Sequence, residues 1–379
     1  MQVRLLLIFF ITVCQVVKGQ SITARYDSLF NYLKAKDDFN GNVLIADRGK
    51  IVYQKSIGYA AFENKSLLNK NTMFNLASIS KQFTAMGIMI LIEQNKLSLD
   101  SKLDSFIPQL SFYKNISIKN LLTHTSGLPD YEELFAQHWD RSKVAHNKNV
   151  IELLAQYKPP VHFNAGENWE YSNTGYALLA SIIEKVSGLS YAEFLEKNIF
   201  HPLHMTRTRV YTTRISDHQK IYNQALGYLI NDKTGHPISQ DSVKEREYVK
   251  YLDGIAGDGA VYSTVIDLLK WDRALYSTKL VTNRSLKQMF TPAILKNGNS
   301  TGYGFGWGIV TERPKTGKYV GHNGSWGGFD THIDRFIDYD KTIIVLRNIQ
   351  NQNNVSGVYD AYIDILFNNA FKLPVITKN

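Results

Sequence analysis

The chain of 379 residues contains one cysteine, Cys14. Everything after it therefore lacks a disulfide framework and a thiol nucleophile. The ten histidines form no H-E-x-x-H or comparable cluster, so no metal ligand set and no other cofactor is expected. The apolar run near the N-terminus is shorter than the roughly 20 residues that cross a bilayer. Low-complexity tracts and solenoid-type repeats are absent. The formal charge is +9, yet the basic residues are scattered and form no block of the nucleic-acid-binding kind.

What is present describes an ordinary globular protein. The composition is 44% hydrophobic and 20% charged, enough to bury a large core in one large or two intertwined domains. The first residues run Met1-Gln2-Val3-Arg4, then uncharged from Leu5 to Val13, then Val17-Lys18-Gly19. A cationic start, a short apolar stretch and a small-residue exit read as a secretory signal over residues 1–19, cleaved before Gln20. The mature chain is expected to be exported, periplasmic or secreted, with no integral membrane segment. Cys14 could carry a lipid, but Val13 is large for the position before a lipidated cysteine, which favours simple cleavage.

Along the chain, residues 21–36 show helical spacing. GNVLIAD and KIVYQKSIG flank Asp47-Arg48-Gly49-Lys50 as a hairpin. A strongly apolar helix is expected from Ser78 to about Asn95, with further helices over 149–157 and 173–187 and no strand-rich pattern between about 100 and 255. Four strands, 304–311, 317–322, 328–337 and 342–348, form a meander before a final helix over about 357–371. The fold class is α+β, within the broad α/β group: an antiparallel sheet flanked by helices, with a mostly helical insertion. The sheet subdomain covers about 20–85 and 256–379, and the helical subdomain about 86–255.

Three short stretches carry chemistry. Ser78-Ile79-Ser80-Lys81 is an S-x-x-K tetrad. Residues three apart lie on one helix face, so the Lys81 amine can reach the Ser78 hydroxyl and take its proton. A second tetrad, Ser111 to Lys114, lies in a polar loop with no apolar helix behind it. Tyr171-Ser172-Asn173 opens the helix over 173–187, where Tyr171 can share a proton with Lys81 and Asn173 can hold a substrate carbonyl and the lysine. The alternative is a core tyrosine beside a helix cap, and Tyr113-Lys114-Asn115 repeats the pattern. The third stretch is His322-Asn323-Gly324, at the end of the run KYVGH and before a glycine-rich bend. It is preferred to the literal Lys315-Thr316-Gly317, whose surroundings read as a hairpin turn. His322 is assigned a proton to donate to a substrate carboxylate or to the Tyr171 oxygen. The backbone N–H groups of Ser78 and Ser325 are assigned to an oxyanion hole. His124 is read as structural, and Thr264 with Asp267 as a helix cap.

The order Ser78-x-x-Lys81, Tyr171-x-Asn173, His322-x-Gly324 resembles the penicillin-recognising serine hydrolases of the class C β-lactamase type. The segments Leu121 to Tyr131 and Gly257 to Thr264 resemble that group too, so the likeness covers about residues 30–350. It implies catalysis through a Ser78 acyl-enzyme, with Lys81 and Tyr171 managing protons, Asn173, His322, Gly324 and Ser325 binding substrate, and no metal. Class C β-lactamases resemble one another in having lysine where this chain has His322, whereas histidine resembles the peptidase and esterase branches. The resemblance therefore implies a D-amino-acid peptidase or esterase acting on a small-molecule or peptide substrate. A true β-lactamase and a catalytically silent penicillin-binding sensor are the alternatives.

Overall fold

A computed structural model describes residues 20–214, 221–231, 233–350 and 354–377. The signal segment expected over residues 1–19, including Cys14, lies outside the described residues. Helices of eight or more residues are numbered α1 (Ile22–Ala35), α2 (Lys81–Glu93), α3 (Tyr131–His138), α4 (Asn147–Tyr157), α5 (Asn173–Ser187), α6 (Val265–Ala274) and α7 (Val358–Leu366).

The main sheet joins both ends of the chain. Strands β1 (Gly41–Asp47) and β2 (Lys50–Ile57) form the expected hairpin, turned by Arg48 and Gly49 at φ of 50° and 72°. Two successive positive φ values match the right-handed twist of the strands. Later come β3 (Gly308–Val310), β4 (Tyr319–Trp326), β5 (Phe329–Phe336) and β6 (Lys341–Arg347). The order is β3-β4-β5-β6-β1-β2, antiparallel throughout.

Alternation along the central strands divides the core in two. Leu44 and Ala46 of β1, with Ile344 and Leu346 of β6, join the large core that also takes in α2 and α5, and α6 packs on these two strands. Their neighbours Val43, Ile45, Ile343 and Val345 face the other way, onto α1 and α7. The two terminal helices meet there, with the Tyr26 hydroxyl donating to the Tyr362 carbonyl at 2.8 Å. On α2 every residue from Lys81 to Leu91 is buried. A helix apolar on all sides belongs in the interior, and α2 runs through the middle of the molecule carrying one lysine at its start.

Between 100 and 255 the described strands are only two or three residues long: Arg209–Val210, Tyr228–Ile230 and Pro237–Ser239. Pairings this short show no period-two pattern, and the stretch is not strand-rich. One expectation needs correction: strand β4 does not stop at His322. It continues to Trp326, and the bend falls at Gly327 and Gly328, with φ of 56° and 85°.

Beneath β5 lies a buried ion pair. Arg335 Nε donates to Asp272 Oδ1 of α6 at 2.6 Å, both side chains being at most 1% exposed. The guanidinium also lies over the rings of Tyr276 and Phe290, at 4.5 and 5.3 Å. Removing one partner leaves an uncompensated buried charge. Asp272→Ala is expected to lose about 3–5 kcal/mol of stability in urea denaturation; a loss below about 1 kcal/mol would contradict the pairing.

Candidate active site

The nucleophile turn is built before the helix begins. Ser78 sits in a 3-10 turn, Ala77–Ser80, that feeds α2 at Lys81, rather than in the α-helix itself. Ala77 has φ of 49°, a left-handed conformation costly for a residue with a Cβ and characteristic of functional turns. Surrounding bonds hold it. The Ala77 N–H donates to Asn75 Oδ1 at 2.8 Å, and the Leu76 N–H to the Val261 carbonyl at 2.8 Å. Thr331 of β5 donates to the Leu76 carbonyl at 2.9 Å.

In a 3-10 turn, residues three apart eclipse one another, which sets Lys81 over Ser78. The Lys81 side chain is fully buried, and Nζ has three close partners: Ser78 Oγ at 3.0 Å, Asn173 Oδ1 at 2.9 Å and the Asp258 carbonyl oxygen at 2.9 Å. Two of these partners can only accept. A neutral amine has two N–H bonds for those two acceptors, and its lone pair then faces the Ser78 O–H. An ammonium spends its third N–H on Ser78 Oγ. The geometry accommodates both states without rearrangement, as a group that takes and returns one proton requires.

Asn173 begins α5. Its backbone N–H donates to Asp130 Oδ2 at 3.0 Å, and its Nδ2 to Glu132 Oε1 at 3.0 Å. Ser172 occupies the cap position, but its side chain makes no cap bond, so Asp130 caps the helix from another segment. Thr174 ties down the same end, donating to the Pro129 carbonyl at 2.7 Å. Tyr171 lies just before this helix, its ring centroid 4.9 Å from Lys81 Nζ, a cation–π distance. The buried His124 packs on that ring at 4.3 Å, and its Nδ1 accepts the Ser172 N–H at 3.1 Å. Burial, the dominant cause, and then Lys81 hold the His124 ring well below its ordinary pKa, so it stays neutral.

Strand β4 supplies the third wall. A Cβ at Gly324 would lie 2.2 Å from the Leu76 carbonyl oxygen, so only glycine lets β4 approach the nucleophile turn. Ser325 lines the same hollows as Ser78. His322 departs from its expected role. Its Nδ1 is 2.6 Å from the Asn323 carbonyl oxygen and its Nε2 is 2.8 Å from the Tyr303 hydroxyl. A carbonyl can only accept, so Nδ1 carries the proton and Nε2 accepts from Tyr303. The ring as placed has no N–H left to donate to a substrate or to Tyr171. Burial, then Lys81, push its pKa down to about 4.

The structure thus joins Ser78, Lys81 and Asn173 by direct hydrogen bonds, sets the Tyr171 ring beside the amine, and brings Gly324 and Ser325 against the nucleophile turn. The other matches lie apart. Lys315 to Gly317 form the turn before β4, where Gly317 N–H bonds the Arg313 carbonyl at 3.0 Å. From Tyr319 to Ser325 a strand rises about 20 Å at 3.3 Å per residue. Tyr113 is a core residue bonded to the Pro159 carbonyl at 2.8 Å. Thr264 Oγ1 accepts the Asp267 N–H at 3.2 Å as the helix cap expected. Sequence reasoning missed Asp130, Glu132, Tyr303 and the Asp258 carbonyl. Asp130, Glu132 and Asp258 fall in or beside the quoted segments Leu121 to Tyr131 and Gly257 to Thr264, which was the available signal.

A histidine with a depressed pKa is neutral when folded but protonates more readily when unfolded. Between about pH 6.5 and about 4 the unfolded chain then binds more protons, so His322 removes stability as the pH falls through that window. Relative to His322→Gln, the wild type is expected to lose about 1–3 kcal/mol in urea denaturation between those pH values. An unchanged difference would contradict the neutral ring.

Comparison with known proteins identifies the family of the chain. Residues 29–366 match the family model described as Beta-lactamase. The chain is 41% identical to a penicillin-binding protein of Bacillus subtilis (strain 168), covering 94% of this chain and 78% of that one. It is 28% identical to the teichoic acid D-alanine hydrolase of Staphylococcus aureus, over 91% and 79% of the two chains. The solved structure of the octameric penicillin-binding protein homologue from Pyrococcus abyssi superposes with a TM-score of 0.77 at 28% identity, over 91% and 77%. The chain belongs to the Beta-lactamase family and is a serine hydrolase of that family.

Proposed function

We propose that the protein cleaves an amide, peptide or ester bond next to a D-amino acid through a covalent acyl-enzyme on Ser78. The observation that carries this reading is the Lys81 amine, 3.0 Å from Ser78 Oγ and held there by two groups that can only accept. In the reaction Ser78 Oγ attacks the substrate carbonyl as its proton passes to Lys81, with the Tyr171 hydroxyl as the second proton carrier. The backbone N–H groups of Ser78 and Ser325 receive the developing oxyanion. The bond to the leaving group breaks as that group is protonated. Water, deprotonated by the same residues, then releases the acyl group.

The D-amino-acid assignment draws on the relative named teichoic acid D-alanine hydrolase. The β-lactamase alternative is disfavoured by His322, which is neutral and hydrogen-bonded to Tyr303 and so offers a substrate carboxylate no fixed positive charge. The signal-like N-terminus supports export. Among the described residues no helix is long and apolar enough to cross a membrane.

Incubation with a fluorophosphonate or a fluorescent penicillin, followed by intact mass, tests the reading. Wild type is expected to gain one adduct at Ser78. Ser78→Ala is expected to gain none and to melt within about 2 °C of wild type, since truncating a cleft hydroxyl changes stability little. A folded wild type that forms no adduct contradicts the hydrolase mechanism. A stable adduct with no turnover of any ester or D-peptide supports the silent binding protein instead.

A further inference from the structure

Ser78 opens onto two hollows. A broad groove runs past Tyr171, Tyr303 and His322, and an inner pocket of about 190 Å³ has Tyr131, Glu132 and Asp258 in its wall. Those wall residues bear on Lys81 indirectly. The amine's two obligate acceptors are Asn173 Oδ1 and the Asp258 carbonyl oxygen, both at 2.9 Å. A side-chain amide can turn end for end, and a carbonyl in a loop turns with its peptide plane. Something must hold both toward one nitrogen.

The segment Asp130-Tyr131-Glu132, at the head of α3, holds the first of them through its last residue. Glu132 Oε1 accepts from Asn173 Nδ2 at 3.0 Å. Burial first, then the charges of Asp130 and Asp258, push Glu132 up to about 7. Above that pH it is a carboxylate and can only accept. It therefore takes the NH2 end of the amide and leaves Oδ1 for the amine. The reversed amide would set an oxygen against the carboxylate and deprive a buried Lys81 N–H of its acceptor.

Tyr131 holds the second acceptor. Its hydroxyl donates to Asp258 Oδ2 at 2.8 Å, and both residues are buried. Its backbone N–H donates to Thr174 Oγ1 at 2.8 Å, and that hydroxyl donates to the Pro129 carbonyl at 2.7 Å. The head of α3 is thereby fixed on the head of α5. Asp130 binds the two together, accepting the Glu132 N–H at 3.1 Å and the Asn173 N–H at 3.0 Å.

We propose that Glu132 and Tyr131 are positioning residues for the acylation of Ser78: Glu132 selects the orientation of the Asn173 amide, and Tyr131, through the Asp258 side chain, sets the peptide carbonyl beside it. This rests on the reading of Lys81 as the acceptor of the Ser78 proton. In that step the Oγ–H bond breaks, Oγ bonds to the electrophilic carbon or phosphorus, the leaving group departs with its electron pair, and Lys81 gains an N–H bond. The buried ammonium that results is stable only while both acceptors stay turned toward it.

The test measures the second-order rate of fluorophosphonate labelling at Ser78, at about pH 8, where Glu132 is ionised. A short alkyl fluorophosphonate carries no amine or carboxylate, so contacts between the pocket wall and substrate charge do not enter. Glu132→Leu is expected to slow labelling at least about tenfold, and Glu132→Gln, whose oxygen can still accept from Asn173, to recover most of that loss. In an Asn173→Ala background, Glu132→Leu is expected to change the rate by less than about threefold, because the group it orients is gone. Tyr131→Phe deletes one oxygen and carries the test should Glu132→Leu not fold. It is expected to slow labelling several-fold, but not in an Asp258→Ala background. Labelling of either folded variant at the wild-type rate overturns the proposal for that residue, as does a loss equally large with and without its partner side chain. A Lys81→Met protein that labels like wild type overturns the reading of Lys81 as the base, and the proposal with it.

Discussion

A primary amine buried at the start of an apolar helix can exist only if its hydrogen bonds are met by groups brought from elsewhere. Lys81 is that amine, and its two obligate acceptors come from distant parts of the chain: Asn173 at the head of α5, and the carbonyl of Asp258 in the loop before the strand Val261–Ser263. The third partner is Ser78. Much of the local architecture follows from holding these groups on one nitrogen. Asp130 caps α5 so that Asn173 points inward. Thr84, one turn further along α2, donates to the Gly257 carbonyl at 2.6 Å and fixes the loop that carries Asp258. A fully buried helix, an unusual place for a lysine, becomes a rigid mount for a reactive one.

The sheet supplies the other half of the site by close approach. Ala77 is held in a left-handed conformation, Thr331 of β5 anchors Leu76, and Gly324 of β4 presses against the same carbonyl. The electrostatic character then differs on the two sides of Ser78. Toward the groove, His124 and His322 are neutral and aromatic rings surround them. Toward the inner pocket, Glu132, Asp253 and Asp258 stand in the wall. A site of this kind distinguishes substrates by where they carry charge more than by size.

The parts of this arrangement legible in the sequence were those encoded locally. The Ser78–Lys81 spacing, the Arg48-Gly49 turn and the alternating strands each declare themselves within a few residues. Tyr171-Ser172-Asn173 was readable because it sits at a helix start. What could not be read came from contacts between distant segments. Nothing near His322 announces that Tyr303 will occupy its ring nitrogen, so a donor role was assigned to a group that accepts. Nothing near Asn173 shows that Asp130 will cap it, or that a backbone carbonyl, which no sequence pattern marks, will be a partner of Lys81. The short strands between 209 and 239 escaped because two or three residues carry no period.

The central claim is that the Lys81 amine takes the proton of Ser78, and the rate of Ser78 acylation tests it most directly. The second-order rate constant for fluorophosphonate labelling should be compared between wild type and Lys81→Met, with folding checked by circular dichroism. Loss of a positioned general base is worth roughly a hundredfold to ten-thousandfold. The account predicts a fall of at least about a hundredfold in a folded Lys81→Met protein; labelling at the wild-type rate would contradict it.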